Sequence, residues 1–158
     1  MKANLISRSE TASLLKELNS QWAINLPKIK NLKIHEISEN ESIITSKGFV
    51  AVKTSNVYLP FLGDTSLLEK FPMITVDMGT VKFVCNGANV MRPGITRFSE
   101  FEKGQIVCVI EESQKKYLAV GKSLLSSQEA QSNTKGEVVK NMHYISDKFW
   151  NIGKEIKE

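Results

Sequence analysis

Between Lys82 and Arg97 the chain places Lys82, Asn86, Gly87, Ala88, Asn89, Arg92, Gly94 and Arg97 within sixteen consecutive residues. Those residue types suit recognition of a polyanion. A glycine at position 87 removes the side chain that would hold a ligand's backbone away, and it opens amide N–H groups to phosphate oxygens or base edges. An arginine forms paired hydrogen bonds to phosphate and stacks on an exposed base, whereas a lysine brings a mobile point charge. Arg92 is therefore the first candidate, with Lys82 and Arg97 beside it and Lys148 joining from the C-terminal segment. Asn86 and Asn89 can bond base edges, and Tyr144 can stack on an unpaired base. Each residue also has a plainer role open to it. Asn-Gly ends helices, Tyr144 closes an apolar strand, and single cations are usually solvated.

Other chemistry finds little support. Cys85 and Cys108 stand far apart without a second cysteine near either, so neither a disulfide framework nor a zinc knuckle is expected. His35 and His143 lack ligand-spaced partners, and no metal or cofactor is expected. Glu111 and Glu112 are adjacent, so in a strand they point to opposite faces and cannot work as a carboxylate pair. Nucleophile elbows, phosphate-binding loops and dinucleotide glycine patterns do not occur in the sequence, so no enzyme activity is expected.

The chain has 158 residues, 41% of them hydrophobic and 24% charged, enough apolar material for a folded core. Lys and Arg total 21 against 17 Asp and Glu, a net +4. This mild basic bias is split evenly: nine cations against seven anions before Pro72, twelve against ten after it. Charge alone does not pick the binding half. The longest apolar run, Ile106 to Ile110, is far shorter than the roughly 20 residues needed to cross a bilayer. The first residues turn polar at Ser7, too soon for a secretory signal, and a cytoplasmic location without membrane contact is expected.

Several elements must position the candidate residues. Ser7 and Glu10 form a capping-box spacing, and Leu14, Leu15, Leu18 and Trp22 follow at helical intervals. After Pro27, alternation predicts strands near 32–34, 42–45 and 49–53, and a short helix from Asp64 or Thr65 to Phe71. Beyond Pro72 the pattern predicts a strand at 74–77 and a helix at 78–85, closed by Asn86-Gly87. Further strands are predicted at 90–91, 105–112, 117–122 and 138–145. Residues 126–134 read as a helical turn or loop, and Asp147 as the cap of a terminal helix carrying Phe149, Trp150 and Ile152. Asp77 reads as a helix cap rather than a catalyst.

The run from Val76 to Thr96 resembles the opening of a PUA domain, whose pattern is a strand ending in Asp, a Gly-opened helix, a Gly-Ala turn and a Pro-Gly-Ile bend. All four features occur here in order, at Asp77, Gly79, Gly87-Ala88 and Pro93-Gly94-Ile95. Later signposts also match: Lys103-Gly104, Ala119-Val120-Gly121-Lys122, and the stretch from Lys135-Gly136 to Trp150. Upstream, Tyr58-Leu59-Pro60 and Leu67 to Pro72 are similar to the junction in translation-associated factors that pair a pre-PUA with a PUA domain, the malignant T-cell amplified sequence proteins and their archaeal relatives.

The resemblance implies an α+β N-terminal domain at 1–72, followed by a mostly-β PUA-like pseudobarrel with short helices at 73–158. It implies a non-catalytic RNA-binding protein that recognises tRNA, rRNA or another structured RNA end, in translation or tRNA modification. The expected contact residues are Lys82, Asn86, Gly87, Ala88, Asn89, Arg92, Gly94, Arg97, Tyr144 and Lys148. The alternative is an adaptor that docks on a translation factor, ribosomal protein or RNA-modifying enzyme. An exposed apolar patch at Val57-Tyr58-Leu59 or on the first helix would favour it. An RNA-modifying enzyme in its own right would need a larger catalytic domain than this length holds.

Overall fold

A computed structural model of the chain describes residues 1–156. Two sheets organise it. The first runs β1 (Lys2–Leu5), β2 (Lys33–Ser38), β3 (Glu41–Ser46), β4 (Phe49–Thr54) and β5 (Val57–Pro60) in sequential antiparallel order. Helix α1 (Arg8–Trp22) connects β1 to β2, and the short α2 (Thr65–Leu68) leads out of the sheet.

The capping box of α1 forms as its spacing predicts. Ser7 Oγ accepts from the Glu10 N–H at 3.1 Å, and Glu10 Oε1 accepts from the Ser7 N–H at 3.2 Å. Leu15, Leu18 and Trp22 form the buried stripe, and the Trp22 indole N–H donates to the Tyr58 carbonyl at 2.8 Å. Thr11, buried on the same face, accepts the Leu32 N–H at 3.0 Å, which fastens the loop after the helix. Ser7→Ala is expected to cost about 1 kcal/mol, read as a lower urea midpoint at unchanged slope.

The second sheet is a nearly closed, mostly-β pseudobarrel with short helices, in the order β7-β11-β10-β9-β6-β8. Its strands are β6 (Met73–Val76), β7 (Val90–Met91), β8 (Ile95–Phe98), β9 (Ile106–Glu111), β10 (Tyr117–Ser123) and β11 (Glu137–Tyr144). Strands β6 and β9 run parallel, while the other pairs are antiparallel. Helices α3 (Val81–Val84), α4 (Ser127–Ser132) and α5 (Lys148–Gly153) fill the connections.

The continuous apolar run of β9 reflects burial on both faces. Val107 and Val109 enter the barrel core with Val76, Val84, Val90, Ala119 and Val139. Ile106 and Cys108 point the other way, into a cluster with Val120, Phe149, Leu18, Trp22, Leu59 and Phe71. The two sheets thus share one of their two apolar cores. Burial there pushes the Cys108 thiol up to about 12, so it packs as an inert apolar group.

A buried polar latch crosses the same seam. His143 is fully buried; its Nε2 accepts the Leu62 N–H at 3.1 Å, and its Nδ1 lies 2.9 Å from Asp147 Oδ2. A backbone N–H can only donate, so Nε2 carries the lone pair and Nδ1 the proton. The His143 ring stacks on Phe61 at 5.6 Å and meets Phe149 edge-on at 5.8 Å. Asp147 also accepts the Tyr144 and Trp150 N–H groups, each at 2.8 Å, and so caps α5.

Strand β1 was not foreseen, because all four residues are exposed and show no alternation. Val57-Tyr58-Leu59 is not a surface patch but part of β5, with Tyr58 5% and Leu59 0% exposed, held by Trp22 and the β4 ladder. The adaptor reading loses that support, and the apolar face of α1 is likewise buried. Phe149 and Trp150 anchor α5 against Phe61, at the seam between the sheets.

Candidate nucleic-acid interface

The region from Asp77 to Gly94 is built from the inside outward. Asp77 follows β6 and accepts the Thr80 N–H at 2.9 Å and the Thr80 hydroxyl at 2.7 Å. That turn delays the helix, so α3 occupies only Val81–Val84 rather than 78–85. Val84 is its buried contact, and Val81 and Cys85 are half-buried.

Gly87 closes α3 with φ +94°, a left-handed conformation that suits glycine. The closure engages the local amides: Asn86 and Ala88 donate to the Phe83 carbonyl, at 3.1 and 3.0 Å, and Gly87 donates to Val84 at 3.0 Å. The expectation of open N–H groups is therefore corrected, because the turn needs them to satisfy the helix end. A side chain at Gly87 would also meet the Tyr144 ring at 3.1–3.2 Å, so Tyr144 packs behind the turn.

Asn89 and Asn141 brace the loop against β11. Asn89 Oδ1 accepts the Asn141 N–H at 3.0 Å, and its Nδ2 donates to Glu137 Oε2 at 2.8 Å. The Asn141 amide donates to the Val84 and Ala88 carbonyls, both at 3.0 Å. Asn89 thus holds the scaffold through its side chain, while Asn86 stays exposed.

The cations do not converge. Lys82 is exposed on α3, its Nζ 5.2 Å from the centre of the Phe83 ring. Arg92 turns inward instead: Nε donates to the Ala130 carbonyl at 2.7 Å, Nη1 to the Ile95 carbonyl at 3.2 Å, and the guanidinium lies 5.0 Å from the Phe98 ring centre. Those carbonyls at the end of α4 and on β8 make it a structural tie. Arg97 is exposed but lines a separate depression with Tyr117. Lys148 pairs with Glu41 on the first sheet at 2.7 Å, and that bond holds the Glu41 carboxyl below its usual range.

What does gather beside the turn is apolar. Phe83 is 58%, Met78 49% and Met91 46% exposed, high values for large hydrophobic side chains. Phe83 and Met91 line a cleft of about 270 Å³ with Thr80, Ala88, Asn89 and Gly94. Sequence reasoning missed Phe83 and Met91. The available signal was an aromatic residue on α3 opposite the positions that face the core, since Val81, Val84 and Cys85 already fill the inner side.

The arrangement brings together a small apolar cleft and, beside its Phe83 wall, the exposed Lys82 ammonium. The recess can accept an unpaired base while Lys82 meets a neighbouring phosphate.

The PUA domain family matches residues 72–145. An uncharacterized protein of Methanocaldococcus jannaschii is 36% identical over 131 residues, 80% of each chain. Translation machinery-associated protein 20 of Saccharomyces cerevisiae is 35% identical over 94 residues, 55% of this chain and 52% of that one. Human malignant T-cell-amplified sequence 2 is 32% identical over 135 residues, 80% of this chain and 74% of that one. Among solved structures, a hypothetical protein from Pyrococcus horikoshii superposes with a TM-score of 0.81 at 24% identity, covering 96% of this chain and 99% of the other.

Proposed function

Because the chain belongs to the PUA-domain family that includes the malignant T-cell-amplified sequence and translation machinery-associated proteins, we propose that it is a non-catalytic RNA-binding protein of the translation machinery. RNA meets it at the face built by α3, the Gly87 turn and β7. The observation that carries this reading is the exposed Phe83–Met91 cleft, with Lys82 5.2 Å from the Phe83 ring, set on a backbone braced by the Asn141 amide.

The division of labour follows the seam. Residues 1–72 act as a pre-PUA α+β domain and residues 73–158 as the PUA domain. A structured RNA, tRNA or rRNA, presents an unpaired base to the cleft, and Lys82 with exposed Asn86 and Ala88 contacts the adjoining backbone. Recognition then depends on RNA shape and on an accessible base more than on a long sequence, because a helical RNA groove offers side chains little to read. Gly87, Asn89, Gly94, Tyr144 and Arg92 serve the surface by shaping it.

The test is binding of a tRNA transcript at two salt concentrations. Phe83→Ala is expected to weaken binding by about tenfold, the scale of one lost base–aromatic stack. Lys82→Ala is expected to weaken it about threefold and to lower the salt slope by about one unit. Arg92→Ala is expected to lower thermal stability while leaving the salt slope intact, because its guanidinium serves the fold. Unchanged affinity and slope in both the Phe83 and Lys82 variants would overturn the proposed face.

A further inference from the structure

Arg97, Thr75, Ile110 and Tyr117 stand directly opposite one another on four neighbouring strands, β8, β6, β9 and β10. Neighbouring strands lie about 4.8 Å apart, so the row spans about 14 Å from end to end. Long side chains occupy its two ends and short ones its middle. Thr75 and Ile110 form the floor, 4% and 6% exposed, and Arg97 and Tyr117 rise as walls. The result is a cleft of about 440 Å³, and Lys115 overhangs it from the β9–β10 turn. It shares no lining residue with the Phe83 cleft.

The charge brought to this cleft is positive. Arg97 and Lys115 are both exposed and bring two cations to it. Of the candidate cations, Arg92 holds carbonyls and Lys148 holds Glu41, which leaves Lys82 beside the first cleft and Arg97 on this one.

We propose that this cleft binds an unpaired nucleotide of single-stranded RNA, with its phosphate at Arg97 and Lys115 and its base over the Thr75–Ile110 floor against Tyr117. The apolar floor matches a base, the aromatic wall offers a stacking or edge contact, and the guanidinium matches a phosphate. Two clefts on one rigid barrel then hold separate points of one RNA. The inference rests on the RNA-binding reading given above but concerns a different surface.

The experiment titrates the isotope-labelled full chain with a uridylate dodecamer and follows backbone amides by NMR. The expected result is movement at Thr75, Ile110 and Tyr117 in addition to Lys82–Met91. Arg97→Glu is expected to remove the cleft shifts, keep those of Lys82–Met91, and weaken binding about fivefold or more. Lys103→Glu makes the same charge change away from both clefts and is expected to weaken binding by less than about twofold. Shifts confined to Lys82–Met91, or equal losses in the two charge variants, would overturn the second cleft and leave the first standing. Shifts at neither face would overturn both. Equal affinity of the cleft for a polyaspartate of matching charge would make it a protein-facing surface and overturn the nucleotide assignment.

Discussion

Gly121→Ala is expected to destabilise the protein by about 3 kcal/mol, and so to lower the melting temperature by roughly 6–12 °C. Gly121 sits in β10 at a shift of register against β11, where two backbones approach closely. A Cβ there would fall on the Lys140 carbonyl oxygen and lie 2.8 Å from Val139 Cγ1. Backbone cannot swing aside as a flexible side chain can, so the β10–β11 ladder has to part. The next residue on β11, Asn141, braces α3 and the Gly87 turn, which carries the damage to the Phe83 cleft. Amide exchange should accelerate at Val139 to Asn141 and at Ala88. A melting temperature within about 2 °C of wild type would mean that the strand pair adjusts without cost.

His143→Ala is expected to cost about 3–4 kcal/mol, through a cavity and an unsatisfied buried donor together. The substitution strands the Leu62 N–H, removes a partner from Asp147 and takes away the ring packed between Phe61 and Phe149. His143→Phe separates these causes. It restores a ring of similar breadth but leaves Leu62 and Asp147 without their bonds, and about 2 kcal/mol of the loss should persist. Chemical denaturation monitored by Trp22 and Trp150 fluorescence reads both variants. Full recovery with phenylalanine would show that packing alone holds the seam.

Much of this architecture was legible because its causes are local. The α1 cap needs only Ser7 and Glu10 three residues apart, the α5 cap only Asp147 before Trp150, and the α3 terminus only Asn86-Gly87. The apolar run of β9 declares a strand covered on both faces. Strand β1 was hidden because pairing with β2 across α1 creates it, and its own residues carry no pattern. Strand β5 has nearly unbroken apolar character, which marks burial and exposure alike until Trp22 is seen to bond Tyr58.

The candidate site divides along the same line. Its turn could be read from sequence, but the fate of each cation could not. Carbonyls at Ala130 and Ile95 claim Arg92, and a carboxylate 107 residues away claims Lys148. Such assignments depend on which polar atoms the fold leaves nearby, and residue type alone carries no trace of them. Phe83 was overlooked for the complementary reason, since an aromatic residue in a short helix is usually assigned to the core.

The apolar wall between the sheets has one further consequence. Ile106, Cys108 and Val120 on one side meet Leu18, Leu59, Phe71 and their neighbours on the other. Neither half can be grafted elsewhere without carrying a bare oily flank with it. A volume change on one flank calls for its complement on the other, so substitutions there are constrained to arise as matched pairs, whereas residues on the exposed rims around Phe83 and Arg97 answer to what they bind and not to a packed counterpart.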